Sequence, residues 1–302
     1  MYIGTSLPVL RIISLAACLS MTVPVFVLAL QHRDGTPLML FDSHAHLDML
    51  TDDPGELERI LTEDFAGGLS AVVQVSTDPD IHFNIYSKLN ESSRNIHFAC
   101  GLTHAFSGDV EKGLRKLTNI VESGQVCALG EIGLDFSRGP EPSAVERQKD
   151  LFGEQMAIAR RGDLPVILHT RDAAAETLAV LDMYPGVRGV AHCFTGDAGF
   201  AAALVERGWM VSFSGILTFA SAGALRQVAA GIPGESLLVE TDTPFLSPVP
   251  FRGQPNRPAR VAYTAAALAE IRGVSPGYIA GLTAENARRL FGINENRDKV
   301  SL

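Results

Sequence analysis

The stretch Leu38–Leu50, LMLFDSHAHLDML, carries two histidines at the end of an apolar run. His44 and His46 are separated by one residue. In an extended strand, residues i and i+2 point to the same face, so both imidazoles project together from the end of a buried strand. Two neighbouring imidazoles suit one metal ion, although the same pattern also describes a strand that ends in two ordinary polar histidines. The stretch therefore predicts a buried first strand and half of a metal site.

From residue 38 onward, short apolar runs alternate with longer amphipathic segments. The predicted strands are Leu38–Asp42, Ala71–Val75, Ile96–Cys100, Val126–Leu129, Pro165–Leu168, Arg188–Ala191, Trp209–Phe213 and Leu237–Glu240. The helical patterns lie at about 54–66, 79–91, 109–123, 143–162, 172–184, 197–207, 221–230 and 258–272, with a further helix near 276–290. Eight strands, each followed by a helix, predict an α/β fold of the (β/α)8, or TIM barrel, type. A doubly wound sheet would place a glycine-rich turn after the first strand, where this chain has His-Ala-His.

The composition limits how the protein could bind its partners. The chain has 302 residues and a formal net charge of −9, so no global basic field attracts nucleic acid. Any phosphate binding would have to come from metal ions and a few local arginines. The four cysteines, Cys18, Cys100, Cys127 and Cys193, are scattered without a C-x-x-C pair. They predict reduced, buried thiols of a cytoplasmic protein.

The N-terminal segment differs in composition from the rest of the chain. Residues 12–30 are nearly all apolar, which suits a signal peptide or a weak membrane anchor. The alternative is a start codon assigned too far upstream, because Met39 directly precedes the first strand. We predict an apolar leader at 1–38, a single barrel domain at 39–292 and a tail at 293–302. Cytoplasmic localisation is expected, and export or membrane anchoring is the alternative if the leader is real.

Polar residues that follow the apolar runs form the candidate site. In a TIM barrel, the C-terminal ends of the strands converge on one mouth. The residues found there are His44, His46, Glu131, His169, His192 and Asp242. Each alone could be a core histidine, a helix cap or a turn residue, but their joint occurrence at the ends of five strands predicts a metal centre.

Four imidazoles and two carboxylates suit two divalent ions that share a bridging carboxylate. We expect His44, His46 and Asp242 on one ion, His169 and His192 on the other, and Glu131 between them. Magnesium, manganese and zinc fit such ligands, and iron is also compatible. No lysine lies at a predicted strand end, which favours a glutamate bridge over a carboxylated lysine.

Several longer motifs run through the chain in order, from about residue 39 to 292. They are FDSHAHLD at 41–48, GEIGLDF at 130–136, LPVILHTRDA at 164–173, HCFTG at 192–196, SFSGILTF at 212–219, LLVETDTPFLSPVPFRGQPNRP at 237–258 and TAENARRLF at 283–291. With these motifs the chain resembles the TatD-type metal-dependent deoxyribonucleases of the amidohydrolase-like superfamily. The resemblance implies that the six residues above are metal ligands. It also implies hydrolysis of nucleic-acid phosphodiesters, often 3′ to 5′ on single strands.

One stretch departs from the family pattern. Where the family usually reads G-I-H-P-H after the third strand, this chain has Gly101–Phe106, GLTHAF, with its histidine shifted by one place. His104 is therefore either a shifted substrate contact or an ordinary loop residue, and altered specificity is expected here. Arg171 and Arg252 are candidate phosphate contacts, with a salt bridge or a solvated loop arginine as the alternative.

Three other residues beside the mouth have both a substrate-binding and a structural interpretation. Phe136 and Phe245 could stack on bases, but core packing is the expected role of aromatics that flank a barrel strand. Asn256 could touch substrate, but an N-cap before Pro258 would be a sufficient structural reason.

The function expected from these residues is phosphodiester hydrolysis by a metal-activated water, with Asp242 as proton acceptor and Glu131 as the bridging ligand. DNA or a short single-stranded nucleic acid is the expected substrate, and no stable protein partner is implied. The same metals could instead hydrolyse an ester or amide, such as a D-aminoacyl-tRNA or a lactone. A non-catalytic barrel is the third interpretation, and it would be expected to lack one or more ligands.

Overall fold

The computed structural model describes residues 39–89 and 95–293. The predicted leader at 1–38 and all but the first residue of the predicted tail lie outside the described residues, so both remain predictions. Within the described ranges, no helix is long and apolar enough to cross a membrane.

Eight parallel strands form one sheet whose spatial order follows the order of the chain. They are β1 (Leu40–Ala45), β2 (Leu69–Ser76), β3 (Ile96–Cys100), β4 (Ala128–Asp135), β5 (Val166–Arg171), β6 (Gly189–Ala191), β7 (Met210–Phe213) and β8 (Leu237–Val239). The sheet curls until its two edges meet: the His46 amide donates to the Thr243 carbonyl at 2.8 Å, and the Asp242 amide donates to the His44 carbonyl at 3.0 Å. The predicted TIM barrel is confirmed.

Helices separate the strands along the chain. They are α1 (Pro54–Ala66), α2 (Pro79–Leu89), α3 (Val110–Glu122), α4 (Pro142–Gly162), α5 (Ala174–Asp182), α6 (Ala198–Glu206), α7 (Gly223–Gly231), α8 (Val261–Arg272) and α9 (Pro276–Phe291). Several begin where the sequence supplies an N-cap. The Asp109 carboxylate accepts from the Lys112 amide, and the Asp197 carboxylate accepts from the Phe200 amide. These caps satisfy amides of the first turn that have no partner within the helix.

The barrel interior is apolar along most of the strands and polar at their carboxyl ends. Its apolar cluster contains one or more residues from each strand, including Phe41, Ile167, Val190 and Leu238, and it also takes in the end of α9. Because side chains on one face of a strand recur every second residue, the next positions on this face are His169, His192 and Glu240. The apolar cluster therefore packs beneath a layer of titratable side chains at the carboxyl ends of the strands.

Three predicted strands ended three or more residues too early. The strands β1, β4 and β5 continue to Ala45, Asp135 and Arg171, so His44, Glu131 and His169 lie inside strands rather than after them. The prediction ended each strand at its first polar side chain. In the barrel these polar groups are buried against one another at the mouth, so polarity does not mark the end of the strand.

Irregular pairing accompanies two of the predicted ligands. Gly130 pairs with Ile167 and Ile132 with Leu168, so Glu131 is an extra residue in β4. A similar shift in β1, between Asp42 and Ala45, includes His44. Such bulges re-aim a side chain and are common next to active sites.

The three cysteines within the described residues are free thiols. Cys100 is buried, but Cys127 and Cys193 are half-buried, so the expectation of full burial is wrong for those two. Cys127 and Cys193 lie just outside the ends of β4 and β6, where side chains are less completely covered.

Candidate metal centre

The two histidines of the first strand face both predicted carboxylates. Their Nε2 atoms lie 3.1 Å apart. Oε2 of Glu131 is 3.7 Å from each of these nitrogens. Oδ1 of Asp242 is 3.7 Å from His44 Nε2 and 3.6 Å from His46 Nε2. The second nitrogen of His46, Nδ1, lies 2.8 Å from the Val75 carbonyl, so Nε2 is left to face the cluster.

A second group shares Glu131 with the first. The other oxygen of this carboxylate, Oε1, lies 2.8 Å from Nδ1 of His169 and 3.4 Å from Nε2 of His192. The two histidine nitrogens are 3.3 Å apart. The rings of His44 and His192 stack at 4.0 Å, which joins the two groups into one cluster.

The residues present fit divalent metal ions. Bonds of roughly 2.1 Å in tetrahedral arrangement place neighbouring ligand atoms ~3.4 Å apart, and the contacts in both groups, 2.8–3.7 Å, bracket this value. Mixed imidazole and carboxylate ligands suit zinc and manganese, and magnesium when a substrate supplies more oxygens. The structure thus brings the six residues of the predicted ligand set to one place, with Glu131 in contact with both histidine groups.

Burial and mutual charge shift the ionisation of this cluster. Burial raises the pKa of Asp242 to about 7, against the opposing effect of His192 and His46. Burial alone would also raise the pKa of Glu131, but His192 and His169 more than offset it and lower the pKa. Burial and the neighbouring His192 and His46 lower the pKa of His44. A positive ion would stabilise the carboxylate of Asp242 and the neutral form of His44, which are the forms that bind metals.

Two carboxylates that touch the cluster were not predicted. Oδ2 of Asp135 lies 3.2 Å from His169 Nε2, and Oε1 of Glu240 lies 3.4 Å from His192 Nδ1. The signal for both was spacing. Asp135 follows Glu131 by four residues on β4, and Glu240 precedes Asp242 by two. An even spacing along extended chain puts residues on one face.

The shifted histidine lies at the metal centre. The ring of His104 stacks on the ring of His169 at 4.9 Å, and its Nε2 is 3.9 Å from Asp135 Oδ2. Arg171 is exposed at the end of β5. The guanidinium of Arg252 instead lies 3.9 Å over the Phe219 ring and donates to the Ser247 carbonyl at 3.1 Å, so it stabilises its own loop.

Of the three other residues beside the mouth, two differ from expectation. Phe136 is partly buried against the core, as expected. Phe245 is 50% exposed, with its ring edge-on to His46 at 6.2 Å, so core packing does not explain it. Asn256 is buried and is not an N-cap: its Nδ2 donates to the carbonyls of Thr241 and Phe245 at 3.0 and 2.8 Å. It ties the proline-rich loop to the segment that carries Asp242.

The chain matches a protein family model and several known proteins. The family model described as TatD related DNase matches residues 41–292. The metal-dependent hydrolase YcfH of Escherichia coli strain K12 is 37% identical over 264 residues, covering 86% of this chain and 98% of its own. YabD of Bacillus subtilis strain 168 is 36% identical over 259 residues, covering 85% and 100%. Both are described as uncharacterized metal-dependent hydrolases.

A solved structure shows the same architecture. The crystal structure of YjjV, a TatD homolog from Escherichia coli K12, superposes with a TM-score of 0.76 at 31% identity, covering 84% of this chain and 98% of its own. The match to the family model spans all six clustered residues, from His44 to Asp242. On the sequence, the barrel and the buried histidine–carboxylate cluster together, the chain belongs to the TatD family of metal-dependent hydrolases.

Proposed function

We propose that the protein hydrolyses phosphodiester bonds of nucleic acid, removing nucleotides from the 3′ end of single-stranded DNA. The observation that carries the proposal is the position of Glu131. Its Oε2 faces His44 and His46, and its Oε1 faces His169 and His192. A carboxylate shared between two ligand groups suits the two-ion centres found in phosphatases and nucleases.

In this proposal, His44, His46 and Asp242 would hold one divalent ion, His169 and His192 would hold a second, and Glu131 would offer one oxygen to each. A magnesium, manganese or zinc ion bound there would supply an activated water and positive charge for the phosphoryl oxygens. Asp242 acts as the proton acceptor through its carboxylate, whose Oδ1 lies within 3.7 Å of both histidines of the first group.

The surroundings of the cluster support a nucleic-acid substrate. Arg171 is exposed at the end of β5, where its guanidinium can pair with a phosphate. Phe245 exposes half of its surface beside His46, as expected of an aromatic ring on which a base stacks. The net charge of −9 disfavours long-range attraction to duplex DNA, so a short or single-stranded substrate is the better fit.

The test is digestion of single-stranded oligonucleotides labelled at the 5′ or the 3′ end by the purified full chain, with Mg²⁺ or Mn²⁺ added after complete metal removal. We expect a ladder that shortens from the 3′ end, no product in excess chelator and none with Asp242→Asn. An aminoacyl-tRNA ester and a lactone are assayed in parallel. Turnover of either without oligonucleotide cleavage would refute the nuclease proposal and assign carbonyl chemistry to the same centre.

A further inference from the structure

Each histidine of the second ligand group has a carboxylate behind it. The ring of His169 presents Nδ1 to Glu131 and Nε2 to Asp135, whose Oδ2 is 3.2 Å away. The ring of His192 presents Nε2 to Glu131, and its Nδ1 is 3.4 Å from Oε1 of Glu240. Neither carboxylate belongs to the proposed ligand set.

We propose that Asp135 and Glu240 are positioning residues, which fix the ring orientation and the tautomer of His169 and His192 and thereby set the affinity for the second metal ion. The inference rests on the proposed placement of that ion, and it does not depend on which substrate the enzyme hydrolyses.

The physical basis is the limited bonding of an imidazole. A neutral ring carries one N–H donor and one lone pair, and an ionised carboxylate can only accept. When an ion occupies the lone pair of Nδ1, which faces Glu131 at 2.8 Å, the hydrogen of His169 must be on Nε2, where Asp135 accepts it at 3.2 Å. Glu240 lies 3.4 Å from Nδ1 of His192, a nitrogen without a hydrogen-bond partner among the described residues, and would act in the same sense when an ion occupies Nε2. Ligating histidines commonly donate their other N–H to such a carboxylate, which also raises their basicity.

Asp135 is itself held in place. Its Oδ1 accepts from the amide and the hydroxyl of Ser137 at 2.9 and 2.5 Å, which leaves Oδ2 for His169. The side-chain amide of Gln148 makes two hydrogen bonds to the backbone of Asp135: it accepts from the N–H at 2.9 Å and donates to the carbonyl at 3.1 Å. Two hydrogen bonds to its carboxylate and two to its backbone thus hold Asp135 beside His169.

Glu240 is the more deeply buried of the two. The side chain is 1% exposed, and its Oε1 accepts from the Cys193 amide at 2.7 Å. Among the described residues, its Oε2 has no hydrogen-bond partner. Burying a carboxylate with so few partners is costly unless a positively polarised group faces it. His192, polarised by an ion on its opposite nitrogen, would be such a group.

A direct ligand role for either residue is the alternative. Asp135 with His104 and His169, and Glu240 with His44 and His192, each lie close enough together to hold an ion. A ring nitrogen that donates its hydrogen to Asp135 cannot bind an ion at the same time. We therefore favour positioning, and the number of bound ions separates the two roles.

The test is a calorimetric titration of the metal-free full chain with Mn²⁺, repeated for Asp135→Asn and Glu240→Gln. The asparagine oxygen can still accept from Ser137, which turns the amide NH₂ toward Nε2 of His169 and reverses the tautomer. We expect two equivalents in the wild type. In each variant, one equivalent should keep its affinity while the other weakens about 10- to 100-fold, with no change in the thermal midpoint of the metal-free protein. Matched controls are Asp150→Asn and Glu270→Gln, which alter exposed carboxylates on α4 and α8.

Three results would overturn the inference. The first is unchanged affinity for both equivalents in a folded Asp135→Asn variant. The second is binding of a single Mn²⁺ equivalent by the wild type. The third is binding of an additional Mn²⁺ equivalent that is lost in either variant, since the replaced residue would then be a ligand. If Glu240→Gln fails to fold, the titration of Asp135→Asn, whose side chain is half-buried, still tests the inference. A protein that cleaves no DNA would refute the nuclease proposal but would leave this titration interpretable.

Discussion

Replacing the shared carboxylate by its neutral isostere, Glu131→Gln, tests the centre most directly. The wild-type side chain places one oxygen against the first histidine pair and the other against the second, at 2.8–3.7 Å. Glutamine keeps the shape but has one oxygen, so it can serve only one of the two groups. The variant loses one charged contact and weakens the other.

The size of the effect follows from these contacts. An interaction with a charged partner is worth about 1.5–3 kcal/mol, and a neutral one about half of that. Losing one charged contact and half of another therefore costs about 2–4.5 kcal/mol. At 1.36 kcal/mol for each factor of ten, kcat/KM should fall by about two to three orders of magnitude.

The assay is oligonucleotide hydrolysis at saturating Mn²⁺, with kcat/KM compared between the wild type, Glu131→Gln and the exposed control Glu270→Gln. Thermal unfolding of the metal-free proteins checks that all three fold. If folded Glu131→Gln keeps kcat/KM within about threefold of the wild type and binds as many ions, Glu131 does not link the two groups.

Three further predictions concern the first ligand group and the mouth loop. Because burial raises the pKa of Asp242 to about 7, ionisation of this group destabilises the metal-free fold progressively as the pH rises from about 4 to 7. In Asp242→Asn, the free energy of unfolding should therefore decrease less as the pH rises over this range. An unchanged pH profile in urea titrations would contradict this prediction. Asn256→Ala removes the hydrogen bonds that Nδ2 donates to the carbonyls of Thr241 and Phe245, and should lower the free energy of unfolding by about 2–3 kcal/mol. A loss below about 1 kcal/mol, measured in urea, would count against the anchor role. Phe245→Leu should raise KM for oligonucleotides about 5- to 100-fold while Phe245→Trp keeps it near the wild-type value, and equal KM values in both variants would exclude base stacking.

Much of this molecule follows from one-dimensional patterns. The alternation of apolar and amphipathic runs predicts a barrel because parallel strands buried on both faces must each be followed by a covering helix. The same pattern brings His44, His46, Glu131, His169 and Asp242 together, because the carboxyl ends of all eight strands open on one mouth. For these residues, topology converts a position in the chain into a position in space.

The tertiary structure decided how those side chains meet. The extra residue in β4 turns Glu131 so that each of its oxygens faces a different histidine pair. Asp135 and Glu240 join the cluster through contacts to side chains that lie 34 and 48 residues away. A bulge depends on strand register, and a carboxylate–imidazole contact depends on distances of a few ångströms between separate strands. Even spacing places Asp135 and Glu240 on the face of a predicted ligand, but it fixes neither register nor these distances, so only the folded barrel determines which side chains meet.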